Sequence, residues 1–225
     1  MNNVCQLQQL MTLDTNMNTS DIEEHFEKIA KMLFESFAIQ KGETKYLFKE
    51  IEFYFYNKNH RDIITHPRVS KPLCWYVNDF GGIDLNFSSK IELDSRVNDK
   101  GKIVKKYILD DNAYFGGILI RQLISEDGCE VLSGPFACAE LFRCYNATGV
   151  RKEFPVLVEH KNNMVRYICK SRINLLRPKQ LVEAKVNNIL YQYHDNIQPS
   201  KETLYQDFVN FKDKPYRYEQ QIASR

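Results

Sequence analysis

The segment KYLFKEIEFYFY, residues 45–56, alternates with the period of two residues that is typical of a β-strand. Strict alternation predicts that one face of this strand carries Leu47, Ile51, Phe53 and Phe55. The opposite face then carries Phe48, Glu50, Glu52, Tyr54 and Tyr56. Carboxylates among aromatic rings are unusual on a plain solvent-facing strand, where lysine and threonine would serve as well. This second face is therefore the first candidate for a functional surface.

Similar patterns predict further strands on the C-terminal side, at residues 73–77, 82–87, 103–108, 115–124, 165–173 and 216–218. Glycine pairs at 81–82 and 116–117 indicate bends or bulges in two of them. The total predicts an α+β fold, in which helices surround one curved mixed or antiparallel sheet.

Helices are predicted on both sides of these strands. A capping box at Ser20–Glu23 starts a helix that ends near Phe37. Pro135 favours a second helix that continues to Asn146, and two more are predicted at 181–193 and from 199 onward. Residues 1–19 are polar and aperiodic. Because 225 residues suit one domain, we expect a polar N-terminal segment at 1–19 and a single domain at 20–225.

The composition excludes several classes of protein. A formal net charge of +2 excludes a strongly basic nucleic-acid binder, so a phosphate-binding face must come from local clusters such as 102–106 or 166–172. Each cluster taken alone is more often a solvated face. The six cysteines show no C-x-x-C spacing, which predicts reduced thiols and no zinc site. No signal sequence or run of about 18 apolar residues is present, so we expect a cytoplasmic protein with no membrane partner.

Arg121 lies in an apolar predicted strand, where an unpaired guanidinium would be costly. Glu52 is its natural partner, and such a pair would keep the carboxylate ionised at neutral pH. With Tyr54, Tyr76 and Asn86 nearby, this pair predicts a pocket for a flat heterocycle. The alternative is a structural ion pair beneath an aromatic core.

Several short blocks resemble, in the same order, those of the alkyladenine (3-methyladenine) DNA glycosylases. Glu50–Tyr54 resembles the family's E-T-E-A-Y strand. Tyr76, followed ten residues later by Asn86-Phe87-Ser88-Ser89, resembles its tyrosine and N-[IF]-S-S block. Two further blocks lie in the middle of the chain: Ile118–Arg121 resembles an apolar strand that ends in L-[LI]-R, and Leu132–Pro135 resembles L-C-S-G-P. Two more lie nearer the C-terminus: Ser171–Asn174 resembles R-[IV]-G-I, and Lys214–Tyr218 resembles K-P-[LW]-R-F-Y. Together the blocks cover roughly residues 25–220.

The resemblance implies a methylpurine-DNA-glycosylase-like fold and a monofunctional enzyme that excises alkylated or deaminated purines from DNA in base excision repair. Glu52 would be the catalytic carboxylate that activates water, and Arg121 would help to hold that water. The implied base-binding residues are Tyr54, Tyr76, Asn86 and His60, and the implied DNA-binding residues are Arg68, Arg172, Asp79 and Phe80. The resemblance implies DNA as partner, and no metal or organic cofactor, since a carboxylate and water suffice.

The histidine role has two candidates. His60 precedes Thr65-His66-Pro67-Arg68, which resembles the family's histidine and T-P-R element with a shortened spacing and without the adjacent glycines. His66 competes with His60 for this role, and either could be an ordinary loop histidine.

One departure concerns the wedge that fills the gap left by an extruded nucleotide. The family has an apolar or aromatic residue between Tyr76 and Asn86, where this chain has Asp79, and an aspartate would repel phosphates. Phe80 or Trp75 could replace the wedge. Two alternatives follow: a non-catalytic nucleic-acid-binding relative, or a hydrolase of nucleosides or single strands, for which no wedge is needed.

Overall fold

The structure is a computed structural model, and it describes residues 2–78, 81–97, 99–143, 154–162, 166–173 and 200–221. The helices in these ranges are α1 (Asn3–Leu10), α2 (Thr19–Ser36), α3 (Pro135–Glu140) and α4 (Lys201–Lys212). The strands are β1 (Phe37–Lys41), β2 (Thr44–Asn57), β3 (His60–Arg61), β4 (Trp75–Val77), β5 (Ile83–Asn86), β6 (Glu92–Val97), β7 (Ile103–Ile108), β8 (Phe115–Ser125), β9 (Val131–Ser133), β10 (Val156–Glu159), β11 (Tyr167–Lys170) and β12 (Arg217–Gln220).

Among the described residues, a curled antiparallel sheet of ten strands is the main structural element. Its main path runs β10-β1-β2-β8-β5-β4, and β8 pairs with β2 along almost its whole length. The other edge of β2 is shared by β1, β12 and β3, and β11 extends the sheet beyond β12. The remaining two strands, β6 and β7, form a separate hairpin. This arrangement confirms the predicted α+β class, and β2 is the strand that the alternation at 45–56 predicted.

A β-bulge interrupts the alternation of β2. The register with β8 shifts on either side of Glu50, so that Lys49 and Arg121 are extra residues on their strands. An extra residue in a strand reverses the face that the following side chains occupy. Phe48 and Ile51 therefore both lie in the core, although strict alternation would place them on opposite faces of β2. The prediction that Phe48 shares a face with Glu52 was wrong for this reason.

The apolar face of the sheet is covered by helices. Phe26 of α2 stacks on Phe53 of β2 with ring centroids 4.5 Å apart, and Phe208 and Phe211 of α4 belong to the same core. The helix predicted from residue 20 is present as α2. Its capping box, however, joins Asn18 and Asp21 rather than Ser20 and Glu23. Glu23 is used elsewhere, because it accepts hydrogen bonds from the side chains of Lys214 and Tyr216.

The N-terminal residues differ from the prediction. Instead of an aperiodic segment, residues 3–10 form α1, which Asn2 caps by accepting a hydrogen bond from the backbone N–H of Cys5. Leu7, Met11 and Leu13 are fully buried in the core. Leu7 and Met11 have the i, i+4 spacing of an apolar helical stripe, which is too short a signal to stand out among the polar residues around it.

Other predicted elements are present or lie outside the described residues. The strands at 103–108 and 115–124 correspond to β7 and β8, and Ser200 caps α4 by accepting from the backbone N–H of Thr203. The helix that starts at Pro135 ends at Glu140, so residues 141–143 are not helical as predicted, and residues 144–146 lie outside the described residues, as does the predicted helix at 181–193. Within the described ranges, no helix has the length and apolar character needed to cross a bilayer.

Candidate active site

Two neighbouring rows of side chains cross the polar face of the sheet. Residues that are directly opposite each other on paired strands project to the same face. By this rule one row consists of Lys170, Arg217, Glu52, Leu119, Asp84 and Tyr76, in that order across β11, β12, β2, β8, β5 and β4. The next row consists of Tyr54, Gly117 and Asn86. The sheet therefore brings four of the predicted site residues, Glu52, Tyr54, Tyr76 and Asn86, onto one surface.

The Glu52 carboxylate lies on this face of the sheet and is buried, with no solvent-exposed area. Its Oε2 accepts hydrogen bonds from the Tyr54 hydroxyl at 2.7 Å and from Arg121 Nη1 at 3.1 Å. Its Oε1 accepts one from the backbone N–H of Ile173 at 2.9 Å. Three donors on two oxygens compensate for the removal of the carboxylate from water.

Arg121 connects Glu52 to a second carboxylate. Its Nε lies 3.2 Å from Glu50 Oε1, and Arg217 Nη1 lies 3.2 Å from the same oxygen. The bulge makes this possible, since Arg121 is the extra residue of β8 and can reach both carboxylates. The predicted ion pair of Arg121 with Glu52 is confirmed. Arg217 was missed as a site residue, although it lies in one of the blocks that carried the family resemblance.

Tyr54 is a fixed hydrogen-bond donor. Burial, together with the neighbouring charge of Glu52, raises the pKa of Tyr54 well above its ordinary value, so the hydroxyl keeps its proton. The guanidinium of Arg172 lies over the Tyr54 ring, 4.9 Å from its centroid. A heterocycle stacked on Tyr54 would therefore have to use the other face of the ring.

Arg172 is buried against protein groups. It makes two hydrogen bonds to Asp62, from Nη1 to Oδ2 at 2.6 Å and from Nη2 to Oδ1 at 3.2 Å, and both side chains have no exposed area. It also donates to the backbone carbonyls of Phe53 and Phe211. A side chain held in this way does not reach a phosphate from the surface, so the structure gives Arg172 a structural position rather than the expected DNA-contacting one.

Arg68 and Asn86 belong to a second buried polar cluster. Arg68 forms an ion pair with Asp84 and also donates to Asn86 Oδ1 at 3.0 Å, while Asn86 Nδ2 donates to Ser70 Oγ at 2.7 Å. The Arg68 guanidinium lies 4.5 Å from the centre of the Tyr76 ring. Both groups of the Asn86 amide are thus already bonded, and Arg68 supports Asn86 and Tyr76 from inside the protein.

Gly117 of β8 lies between Tyr54, which contacts Glu52, and Asn86, which contacts Arg68. A Cβ atom at this position would lie 2.9 Å from Asn86 Oδ1 and 3.2 Å from Arg68 Nη1. Glycine is therefore required here for the close approach of Asn86 and Arg68 to the backbone of β8.

His60 lies in the core and away from this surface. It has no exposed area and contacts the rings of Phe26, Phe55, Phe211 and Tyr216. Its Nδ1 is 3.2 Å from the Thr19 hydroxyl. The structure therefore places His60 as a core histidine and not beside Tyr54 or Tyr76. His66 is half-buried, and its backbone carbonyl accepts from Arg68 Nε at 3.2 Å.

The burial of His60 predicts a loss of stability in acid. Burial, with smaller contributions from the charges of Arg172 and Lys214, lowers the pKa of His60 to about 3. Between pH 6.5 and 3 the unfolded chain takes up a proton that the folded protein does not, so the free energy of unfolding falls as the pH falls. From pH 7 to 4.5 this one group should remove about 2–3 kcal/mol.

Urea unfolding at the two pH values checks this expectation. His60→Phe should lose less stability than wild type over the same interval, and His25→Gln on α2 is measured beside it as the control for the loss of a histidine. An unchanged pH dependence in His60→Phe would contradict the assignment.

Of the three candidate wedge residues, the structure describes Trp75. Asp79 and Phe80 lie outside the described residues. Trp75 packs against Phe142 with ring centroids 4.9 Å apart, and its indole N–H donates to the Pro155 carbonyl at 3.1 Å. These contacts hold Trp75 within the protein, so it is not available as a wedge in this conformation.

The described residues contain no group of three or more His, Cys, Asp or Glu side chains arranged to hold a metal ion. The chemistry of the surface is that of carboxylates, guanidiniums, phenols and an amide. Such groups can position water, transfer a proton and bind an aromatic heterocycle.

Comparison of the chain with family models, with curated proteins and with solved structures finds no match. The class that the fold and the surface define is an α+β protein with a curled antiparallel sheet and a buried carboxylate–arginine cluster on its polar face. Any more specific assignment rests on the motifs and on the geometry of that cluster.

Proposed function

We propose that this protein is a DNA N-glycosylase that removes alkylated or deaminated purines, with Glu52 as the catalytic carboxylate. The observation that supports this proposal is the shared location of residues that were selected from the sequence. Glu52, Tyr54, Tyr76 and Asn86 come from three separate strands, and they lie in two adjacent rows on one face of the sheet. Arg121 contacts Glu52 directly.

In the proposed reaction Glu52 accepts a proton from a water molecule as the water oxygen bonds to the anomeric carbon of the sugar. The bond from that carbon to the purine nitrogen breaks, and its electron pair leaves with the base. Arg121 and the Tyr54 hydroxyl hold the carboxylate in one orientation. Positive charge on an alkylated base would strengthen its stacking on Tyr54 and Tyr76.

A second candidate is a nucleic-acid-binding protein of similar architecture that does not release bases. The full burial of Glu52 favours it, since water reaches the carboxylate only when one of its three donors moves. The backbone N–H of Ile173 is one of these donors, and contacts of the two preceding residues fix its position. The Ser171 hydroxyl donates to the Asp213 carbonyl at 2.9 Å, and Arg172 is bonded to Asp62.

Single-turnover release of hypoxanthine or 3-methyladenine distinguishes these functions. Duplex and single-stranded oligonucleotides that carry either lesion are incubated with excess protein, and binding is measured on the same oligonucleotides. We expect wild-type protein to release the base from at least one of them. Binding without release from any of these substrates would reject the glycosylase and support the second candidate.

A further inference from the structure

A cleft of about 540 Å³ opens on the same face of the sheet as Glu52. It is lined by Lys49, Gln122, Ile124, Val131, Ile168, Glu219, Gln220 and Gln221. Gln122 and Glu219 lie directly opposite Glu50 on the two neighbouring strands. Glu50 is two residues from Glu52 on β2, and both carboxylates contact Arg121, so the cleft and the buried Glu52 lie on the same face of the sheet.

The lining of the cleft combines apolar walls with side chains that both donate and accept hydrogen bonds. Ile124 and Val131 are paired across β8 and β9, and Ile168 is paired with Glu219 across β11 and β12. The amides of Gln122 and Gln221 each offer an acceptor and two donors. Glutamine pairs with the edge of adenine by this means, and apolar side chains contact the faces of a flat ring. The volume suits a ligand of nucleoside size.

The distance between Glu52 and the cleft indicates which part of a substrate the cleft would bind. The row of Glu50, Gln122 and Glu219 is two residues along β2 from Glu52, or roughly 7 Å at the usual rise of a strand. A sugar–phosphate unit can span this distance. Once one of the donors to the buried Glu52 has moved, a nucleotide held over the carboxylate would therefore place its neighbour beside the cleft, provided that the neighbour is not stacked within a duplex.

We propose that the cleft binds the adenine base of a nucleotide adjacent to the target nucleotide, and that the substrate is consequently single-stranded DNA. This proposal rests on the proposed function and specifies its substrate class.

Calorimetric titration with undamaged probes tests the cleft separately from catalysis. The probes are deoxyadenosine and the dinucleotide of two deoxyadenosines. Wild-type protein should bind the dinucleotide at least about tenfold more tightly than the nucleoside, because one further base is bound. Ile124→Trp fills the cleft and should bring the dinucleotide affinity close to that of the nucleoside. Val156→Trp is the matched control on β10, outside the cleft, where Val156 is exposed, and it should behave like wild type.

Gln122→Ala is a second variant that removes one amide without adding volume. It should weaken dinucleotide binding by about 3–10-fold. Circular dichroism checks that the variants fold.

Equal affinities of wild type for the two probes, no binding of either probe, or wild-type dinucleotide affinity in folded Ile124→Trp would each overturn the proposal. Dinucleotide preference without base release from any lesion would retain the cleft and reject the glycosylase. Base release without dinucleotide preference would retain the glycosylase and reject the cleft.

Discussion

Glu52→Gln is expected to lower the single-turnover rate of base release by about 10²–10⁴-fold while leaving oligonucleotide binding within about twofold of wild type. A positioned general base typically contributes this much to a rate, and glutamine keeps the size of the side chain but accepts protons poorly. Binding should persist because stacking on Tyr54 and Tyr76 does not require the carboxylate. Gel-based release assays under single-turnover conditions, with binding measured by anisotropy, provide both numbers.

Glu126→Gln is the matched control for this experiment. Glu126 is a half-exposed carboxylate at the end of β8, outside the Glu52 cluster, and its replacement should leave the release rate unchanged. Unaltered release by Glu52→Gln would remove Glu52 from the mechanism. An equal loss in both variants would point to a general loss of folded protein, which thermal unfolding of each variant would reveal.

Arg172→Met should reduce the free energy of unfolding by about 3–5 kcal/mol, the largest stability effect that we predict. The substitution leaves the Asp62 carboxylate buried without its cationic partner, and uncompensated buried charges have costs of this size. It also removes the hydrogen bonds that hold residues 171–173 against β2 and α4. Urea unfolding followed by circular dichroism gives the difference, provided that the denaturant dependence of the free energy is unchanged.

Two comparisons separate the buried charge from other effects of this substitution. Lys28→Met breaks the exposed ion pair of Lys28 with Glu24 on α2 and should cost less than about 1 kcal/mol. The double variant Arg172→Met, Asp62→Leu removes both charges and should recover a large part of the loss. A cost below about 1 kcal/mol for Arg172→Met alone would mean that Asp62 is stabilised in another way.

The predictions from sequence succeeded where the signal is local. Residues 45–56 contain enough alternating apolar side chains to identify β2 without knowledge of its neighbours, and α2 shows the i, i+4 pattern over several turns. The short elements α1 and β9 carry too few residues for such a pattern. Their positions depend on the core and on β8, with which they pack or pair.

The candidate site was predicted in part. The pairing of Arg121 with Glu52 followed from the cost of an unpaired guanidinium among apolar residues, which is a property of sequence context. The position of His60 could not be inferred, because a histidine in a polar loop sequence has the same appearance whether its ring is exposed or inserted between Phe26 and Phe211. The sequence likewise did not show whether the Arg172 side chain is exposed or buried, because its partner Asp62 is 110 residues away in the chain.

The sequence by itself determined the class of the fold, the strand at 45–56 and the need of Arg121 for a carboxylate partner, because hydrophobic periodicity and the desolvation of charge act over a few neighbouring residues. Only the tertiary structure decided that Phe48 faces the core, that Arg217 joins Glu50, and that the cleft lies beside Glu52. These features depend on the bulge at Lys49 and on the register of strands that are distant in the chain. A shift of one residue in that register moves a side chain to the opposite face of the sheet.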